Sequence, residues 1–323
     1  MQRRINELDF LKAIFIILMI AFHLVYISES YPYAKLVVHT FHMPGFLIIS
    51  GYLMNVSKSI KAFAGTLLGY AIPYVIIESS YIVMASVLPI REHIDNLNVS
   101  VFIDRLLIHP VGPYWYLQTL VICGGVYALV FRLLPMKTIS KVILLGIIYF
   151  LISDGLGIMQ FACSLYFLAG VVVRQSGVPF TNIFQSSSVA IIAFALLAIY
   201  PQNLLMEVSG GVLMVFLIIS GILFFYKHLN QKACSLFLFI GRNTMPLFLF
   251  SPIFTFLCKP LVPVLLFDST GLLFLFVSLL ICISGSLAVE WVMDKIGLSS
   301  YFYANKKLDN VKPFKHQKRY ESF

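Results

Sequence analysis

Charged residues are scarce in this chain: 14 Asp and Glu and 23 Lys and Arg among 323 residues, 11% in all. Soluble globular domains carry about 25%, so a soluble fold is excluded, and the 60% hydrophobic content points to an integral membrane protein. Cysteine is sparse too. Cys123, Cys163, Cys234, Cys258 and Cys282 are odd in number and scattered, with no Cys-x-x-Cys pair. That pattern argues against a disulfide framework or a zinc site and for small buried residues, and no metal is expected. No tandem repeat, low-complexity tract or second soluble domain is visible. Function must come from membrane helices, the longest outer loop at roughly 89–112 and the opposite face.

What the chain has in abundance is apolar runs of the length, about 20 residues, that a membrane span requires. Ten are expected, roughly at 10–28, 36–54, 63–88, 113–134, 139–153, 158–173, 186–200, 204–226, 235–257 and 270–292. The fold class is therefore all-α, a polytopic bundle over 1–295 followed by a basic tail over 296–323. With the N-terminus inside, seventeen of the 23 Lys and Arg fall on inside segments and only Lys35, Arg91, Arg105 and Lys259 outside. By the positive-inside rule both termini are cytoplasmic. The net charge of +9 is then mainly topology, and the tail from Lys306 to Arg319 is suited to anionic lipid. Membrane lipids are the expected surroundings, and nucleic acid is not an expected partner. Arg3-Arg4 before an apolar run resembles a signal peptide, but Lys12 and His23 interrupt it and no cleavage site follows, so the segment is expected to be retained.

Ionisable residues at membrane depth are expensive and mark function by default. Lys12 and His23 lie eleven residues apart in the first run. On a helix they return to about the same face, separated by about 16 Å of rise. His42 enters the next run at a similar depth to His23, just before Pro44 and Gly45, which can free backbone groups toward a cavity, while Gly51 permits close helix approach. A polar cavity between the first two spans is expected. Glu78 stands in the outer half of the third run as a candidate to orient a histidine or bind an acceptor, with a structural hydrogen bond as the plain alternative. His39 and His42 have a metal-compatible spacing but no further ligands, and His39 reads as interfacial. Asp104 and Arg105 read as a pair, and Glu290 as an interfacial group.

These residues sit in motifs. Arg4-Ile5 and Leu8-Asp9-Phe10-Leu11-Lys12, Ala21-Phe22-His23, Phe41-His42-Met43-Pro44-Gly45-Phe46, Ile49-Ser50-Gly51-Tyr52-Leu53, Trp115-Tyr116-Leu117, Tyr166-Phe167-Leu168-Ala169-Gly170 and Gly241-Arg242-Asn243-Thr244 follow in order over nearly the whole length. The set resembles the membrane-bound acyltransferase-3 family, which includes polysaccharide O-acetyltransferases. Two departures stand out. Lys12 occupies a position where arginine is usual, and Leu249-Phe250-Ser251-Pro252 lacks a histidine often found there.

The resemblance implies transfer of an acyl group, most often acetyl from acetyl-CoA, to a hydroxyl of a cell-surface or exported carbohydrate at the inner (plasma) membrane. Acyl-CoA and a glycan or lipid-linked sugar are then the partners. A sugar hydroxyl is a weak nucleophile, and histidine is the natural base to deprotonate it. His23 is assigned that role, with His42 as second base, orienter or oxyanion donor and Glu78 as the third catalytic candidate. Lys12 and Arg242 would attract the donor's phosphates and Asp9 would hold Arg4 or Lys12. Trp115 and Gln118 are the acceptor-binding candidates. Plainer readings stand beside these: Lys12 snorkelling to headgroups, Arg242 anchoring a helix, Trp115 in an aromatic belt. A transporter or exporter of a small acid or lipid-linked glycan also needs buried charge, and remains the alternative from another class. A glycan polymerase would call for larger outer loops.

Overall fold

The computed structural model describes residues 4–88, 92–265 and 267–303. The expected tail from Lys306 to Arg319, with Arg3 and Arg91 of the charge asymmetry, lies outside the described residues. Every regular element among the described residues is helical. The first eight are α1 (Asn6–His23), α2 (Val25–Ser30), α3 (Pro32–Leu53), α4 (Ile60–Val87), α5 (Val99–Leu107), α6 (Trp115–Leu133), α7 (Thr138–Phe150) and α8 (Phe161–Gln175). The rest are α9 (Phe180–Ile183), α10 (Ser188–Ala198), α11 (Ser209–His228), α12 (Gln231–Arg242), α13 (Thr244–Leu257), α14 (Leu261–Leu265), α15 (Leu272–Lys295) and α16 (Ser299–Phe302). Such a composition favours helices because, in hydrocarbon, only a helix satisfies its own backbone groups. Side chains start several of them: Asn98 accepts from Val101 N–H at 2.9 Å and Asn230 from Ala233 N–H at 2.9 Å.

Each of the ten expected runs carries helix, but six helices are long and apolar enough to cross a membrane, or seven if the bent pair α12 and α13 is one span. α8 has 15 residues and α10 has 11, short for a crossing. α1 carries Glu7, Asp9 and Lys12 within 18 residues. Two further differences matter for the site. The run expected at 235–257 is bent by 80° at Asn243, whose side-chain amide donates to Phe239 O at 2.9 Å and closes the end of α12. The α3 helix continues through Pro44 without opening. Gly45 there accommodates the Phe15 ring, which would stand 2.4 Å from a Cβ, so this pair makes room for an aromatic side chain.

A close, reciprocal helix crossing joins α3 to α8. A Cβ on Gly51 would lie 2.1 Å from Phe167 O, and one on Gly170 would lie 2.0 Å from Ile48 O, so each backbone rests on the other's glycine. α12 meets α1 the same way, with a Gly241 Cβ position 1.7 Å from Asp9 O. That contact, together with the bend after Arg242, brings the end of α12 to the first turns of α1.

The loop that leads into α6 is drawn into the bundle. Val111, Pro113 and Tyr114 are buried, and Gly112 takes a positive φ of 68°, a conformation that favours glycine. At the other end of the described chain, α16 folds back beneath α15, burying Phe302 and Tyr303, with Phe302 stacked on Phe250 at 6.3 Å.

Candidate active site

Asp9 is the centre of a charge cluster at one end of the bundle. It is 3% exposed. Lys12 Nζ meets its Oδ1 at 2.8 Å, Arg4 Nε its Oδ2 at 2.8 Å, and Arg242 Nε its Oδ2 at 3.5 Å. Arg242 also donates to Asn6 Oδ1 at 3.3 Å. Three cations around one carboxylate leave an excess of two positive charges. A polyanion such as a phosphate group is the natural complement to such a surplus.

Those cations form the mouth of a cavity of about 470 Å³, where Arg4, Lys12 and Arg242 are joined by Thr244, Glu290 and Tyr303. Beyond them the lining turns apolar, through Ile16 of α1, Met43, Phe46 and Ile49 of α3, Leu120 of α6 and Phe248 of α13. From Leu53 to Met43 the cavity follows one face of α3 for ten residues, about 15 Å. Polar groups interrupt the apolar part: Ser50 Oγ and Tyr116 OH, 2.7 Å apart, and Tyr70 of α4. The arrangement suits a ligand with a highly charged head and a slender, less polar arm.

His23 is the last residue of α1, half-buried, with Nδ1 2.7 Å from Met19 O. His42 is buried, with Nδ1 2.8 Å from Val38 O, and its ring lies 5.2 Å from that of His39. Because a carbonyl oxygen only accepts, the proton in each neutral ring belongs on Nδ1, which leaves the Nε2 lone pair as the basic site. His42 is within electrostatic reach of His23 and His39, and His23 of Lys35 and Glu92. Neither His23 nor His42 lines the cavity, whose deepest residues on their helices are Ile16 and Met43.

The family model of the acyltransferase-3 family, described as an acyltransferase domain, matches residues 5–291, nearly the whole chain. The chain belongs to that family. No curated protein and no solved structure matches it. With its long apolar helices, it is a multi-pass membrane acyltransferase.

Within this acyltransferase, Lys12 and Arg242 line the cavity and Asp9 joins them. The other expected site residues lie elsewhere. Glu78 is fully buried and accepts Val111 N–H at 2.5 Å, while Glu92 accepts Gly112 N–H at 2.7 Å. Gln118 donates to Leu107 O at 2.7 Å and Tyr74 to Leu106 O at 2.5 Å. Glu78 and Gln118 thus hold the segment between α4 and α6. Trp115 is half-buried, edge-on to Tyr116. Asp104 pairs with His109 at 3.0 Å instead of with its neighbour Arg105, since adjacent helical residues point apart.

Glu290 is 2% exposed and lines the cavity, with Ser299 of α16 and Tyr303 beside it. Tyr116 and Ser50 were visible in the sequence as motif residues, and the signal for Ser50 was its place one and two turns from Phe46 and Met43 on one helical face. Replacing Glu78 with alanine is expected to destabilise the acyltransferase by about 1–3 kcal/mol, since it strands a buried N–H. A lowered unfolding temperature in detergent, with earlier protease cleavage in 92–112, checks it.

Proposed function

We propose that this acyltransferase moves an acyl group, in the simplest case acetyl, from acyl-CoA to a hydroxyl of a cell-surface or exported carbohydrate, as an O-acyltransferase of the inner (plasma) membrane. The observation that carries this reading is the cationic mouth of Arg4, Lys12 and Arg242 opening into an apolar shaft. CoA joins a phosphate-rich nucleotide to a long slender arm ending in the thioester, and charge and shape match in the same order. α1, α8 and α10, added to the six long helices and the bent pair, complete ten crossings with both ends and the mouth on the cytoplasmic side, where acyl-CoA is made.

With the phosphates at Lys12 and Arg242, the arm runs along α3 toward Met43, next in sequence to His42. His23 lies eleven residues, about 16 Å of rise, beyond Lys12 on α1. His23 acts as general base through Nε2: it takes the proton of the attacking hydroxyl as the new ester C–O bond forms, and the C–S bond then breaks to release CoA thiolate, which is protonated. His42, held in the same tautomer, offers a second basic Nε2 and serves as the second base. Glu78 and Gln118 assist by holding the outer loop, and Trp115 offers a face for a sugar ring. No metal enters the reaction.

Purified protein supplied with acetyl-labelled acetyl-CoA and the host's surface polysaccharide tests this. Label is expected to pass to alkali-labile ester on the glycan; label that stays on CoA sinks the reading and returns transport to the front. Lys12→Ala is expected to raise KM for acetyl-CoA about tenfold or more with a smaller change in kcat, the loss of a charge-assisted contact made equally in ground and transition states.

A further inference from the structure

Three of the aromatic rings that line the apolar part of the cavity come from three helices and meet in series. Phe46 of α3 lies 6.0 Å from Tyr116 of α6, which lies 5.4 Å from Phe248 of α13, centroid to centroid. All three line the cavity. The polarity gradient places this wall away from the charges. Phe46 contacts Phe15 at 5.6 Å, most of a turn beyond Lys12 on α1, and Phe248 is six residues beyond Arg242. A ligand whose charged head sits at the mouth therefore presents its far end to these rings.

The wall is built to stay where it is. Phe15, fully buried, backs Phe46, and its ring is itself pressed on Gly45. Tyr114, 1% exposed, backs Phe248 edge-on at 6.0 Å and is fixed by its hydroxyl donating to Leu249 O at 3.0 Å. Tyr116, the middle ring, is pinned by the 2.7 Å bond between its hydroxyl and Ser50 Oγ. A ring with fully buried neighbours behind it has no empty rotamer to move into, so the space in front of it is fixed to within a methylene.

We propose that Phe46, Tyr116 and Phe248, locked by the Ser50–Tyr116 hydrogen bond, form the ruler that sets the length of acyl group this acyltransferase accepts. The inference rests on the cavity holding the acyl donor. A short acyl group clears the rings and lets its thioester pass on toward Met43 and the histidines, and each added methylene must displace an aromatic side chain backed by packed core. Discrimination by one methylene in such a pocket is worth roughly 10- to 200-fold.

The test compares acetyl-, butyryl- and hexanoyl-CoA as donors for the full-length protein, reading released CoA thiol in the presence of the host's surface polysaccharide. Phe46→Ala and Phe248→Ala are expected to raise the butyryl-to-acetyl ratio of kcat/KM about tenfold or more, and Tyr116→Phe, which removes only the lock, to raise it less. Should the alanine variants fail to fold, Phe46→Leu and Phe248→Leu carry the same expectation with a smaller shift. A ratio unchanged in folded variants overturns the ruler, as does a wild type that uses butyryl-CoA as readily as acetyl-CoA. A wild type that releases CoA from none of the three donors overturns the donor reading itself, and the ruler with it.

Discussion

Alanine in place of His23 is expected to lower acyl transfer by about 10²- to 10⁴-fold, the contribution of a positioned general base, while the folded protein is retained. The side chain is half-buried, and its bond in the structure is the one from Nδ1 to Met19 O at the end of α1, so its removal costs about 1 kcal/mol of stability. A purely structural histidine would reverse that pattern. The measurement is transfer of labelled acetyl to polysaccharide at matched amounts of folded protein, with His42→Ala in parallel. His23→Ala with near-normal kcat and a loss confined to His42→Ala would move the base to α3. Partial recovery of His23→Ala on addition of imidazole would mark the missing group as a base.

The second large effect concerns the fold. Gly170→Val is expected to eliminate folded protein. A Cβ at Gly170 would lie 2.0 Å from Ile48 O, and the reciprocal position on Gly51 lies 2.1 Å from Phe167 O. The obstacle in both cases is backbone, which cannot rotate aside as a side chain would. α3 and α8 must separate along their length, at a cost of about 3 kcal/mol or more. Because α3 carries His42, Met43, Phe46 and Ser50, separation also dismantles the cavity. Size-exclusion chromatography of detergent extracts reads the outcome. Gly65→Val is the control, since nothing lies within 4 Å of a Cβ there; a Gly170 variant that extracts as well as this control would refute the close crossing.

Much of this architecture is legible in the sequence because membrane helices announce themselves by length and polarity. The apolar runs fall on helices, Lys12 stands out as a charge in apolar surroundings, and Arg242 and Asp9 are marked by the motifs they sit in. What a sequence does not encode locally is which faces meet. The 100° step per residue puts Lys12 and His23 on one face of α1, yet the break at Leu24 and the cavity's end at Ile16 depend on neighbouring helices. The bend at Asn243 is invisible in a run that reads as one apolar segment, though it is what turns Arg242 toward Asp9. That Glu290 lines the cavity is not legible, because its neighbour α16 is four residues long and carries no signal of its own. Glu78 and Gln118 were recognisable as buried polar groups, but not as the clamps of a loop about thirty positions from one of them and eleven from the other.

The cavity is lined by both Arg4 and Tyr303, the first and last residues described. A ribosome makes these two walls almost the whole described chain apart, so the cavity cannot exist before Tyr303 has been made. Until α15 has been inserted and Tyr303 has folded back under it, the cationic mouth faces water with one side missing, and a polypeptide stopped short at any earlier codon never closes it.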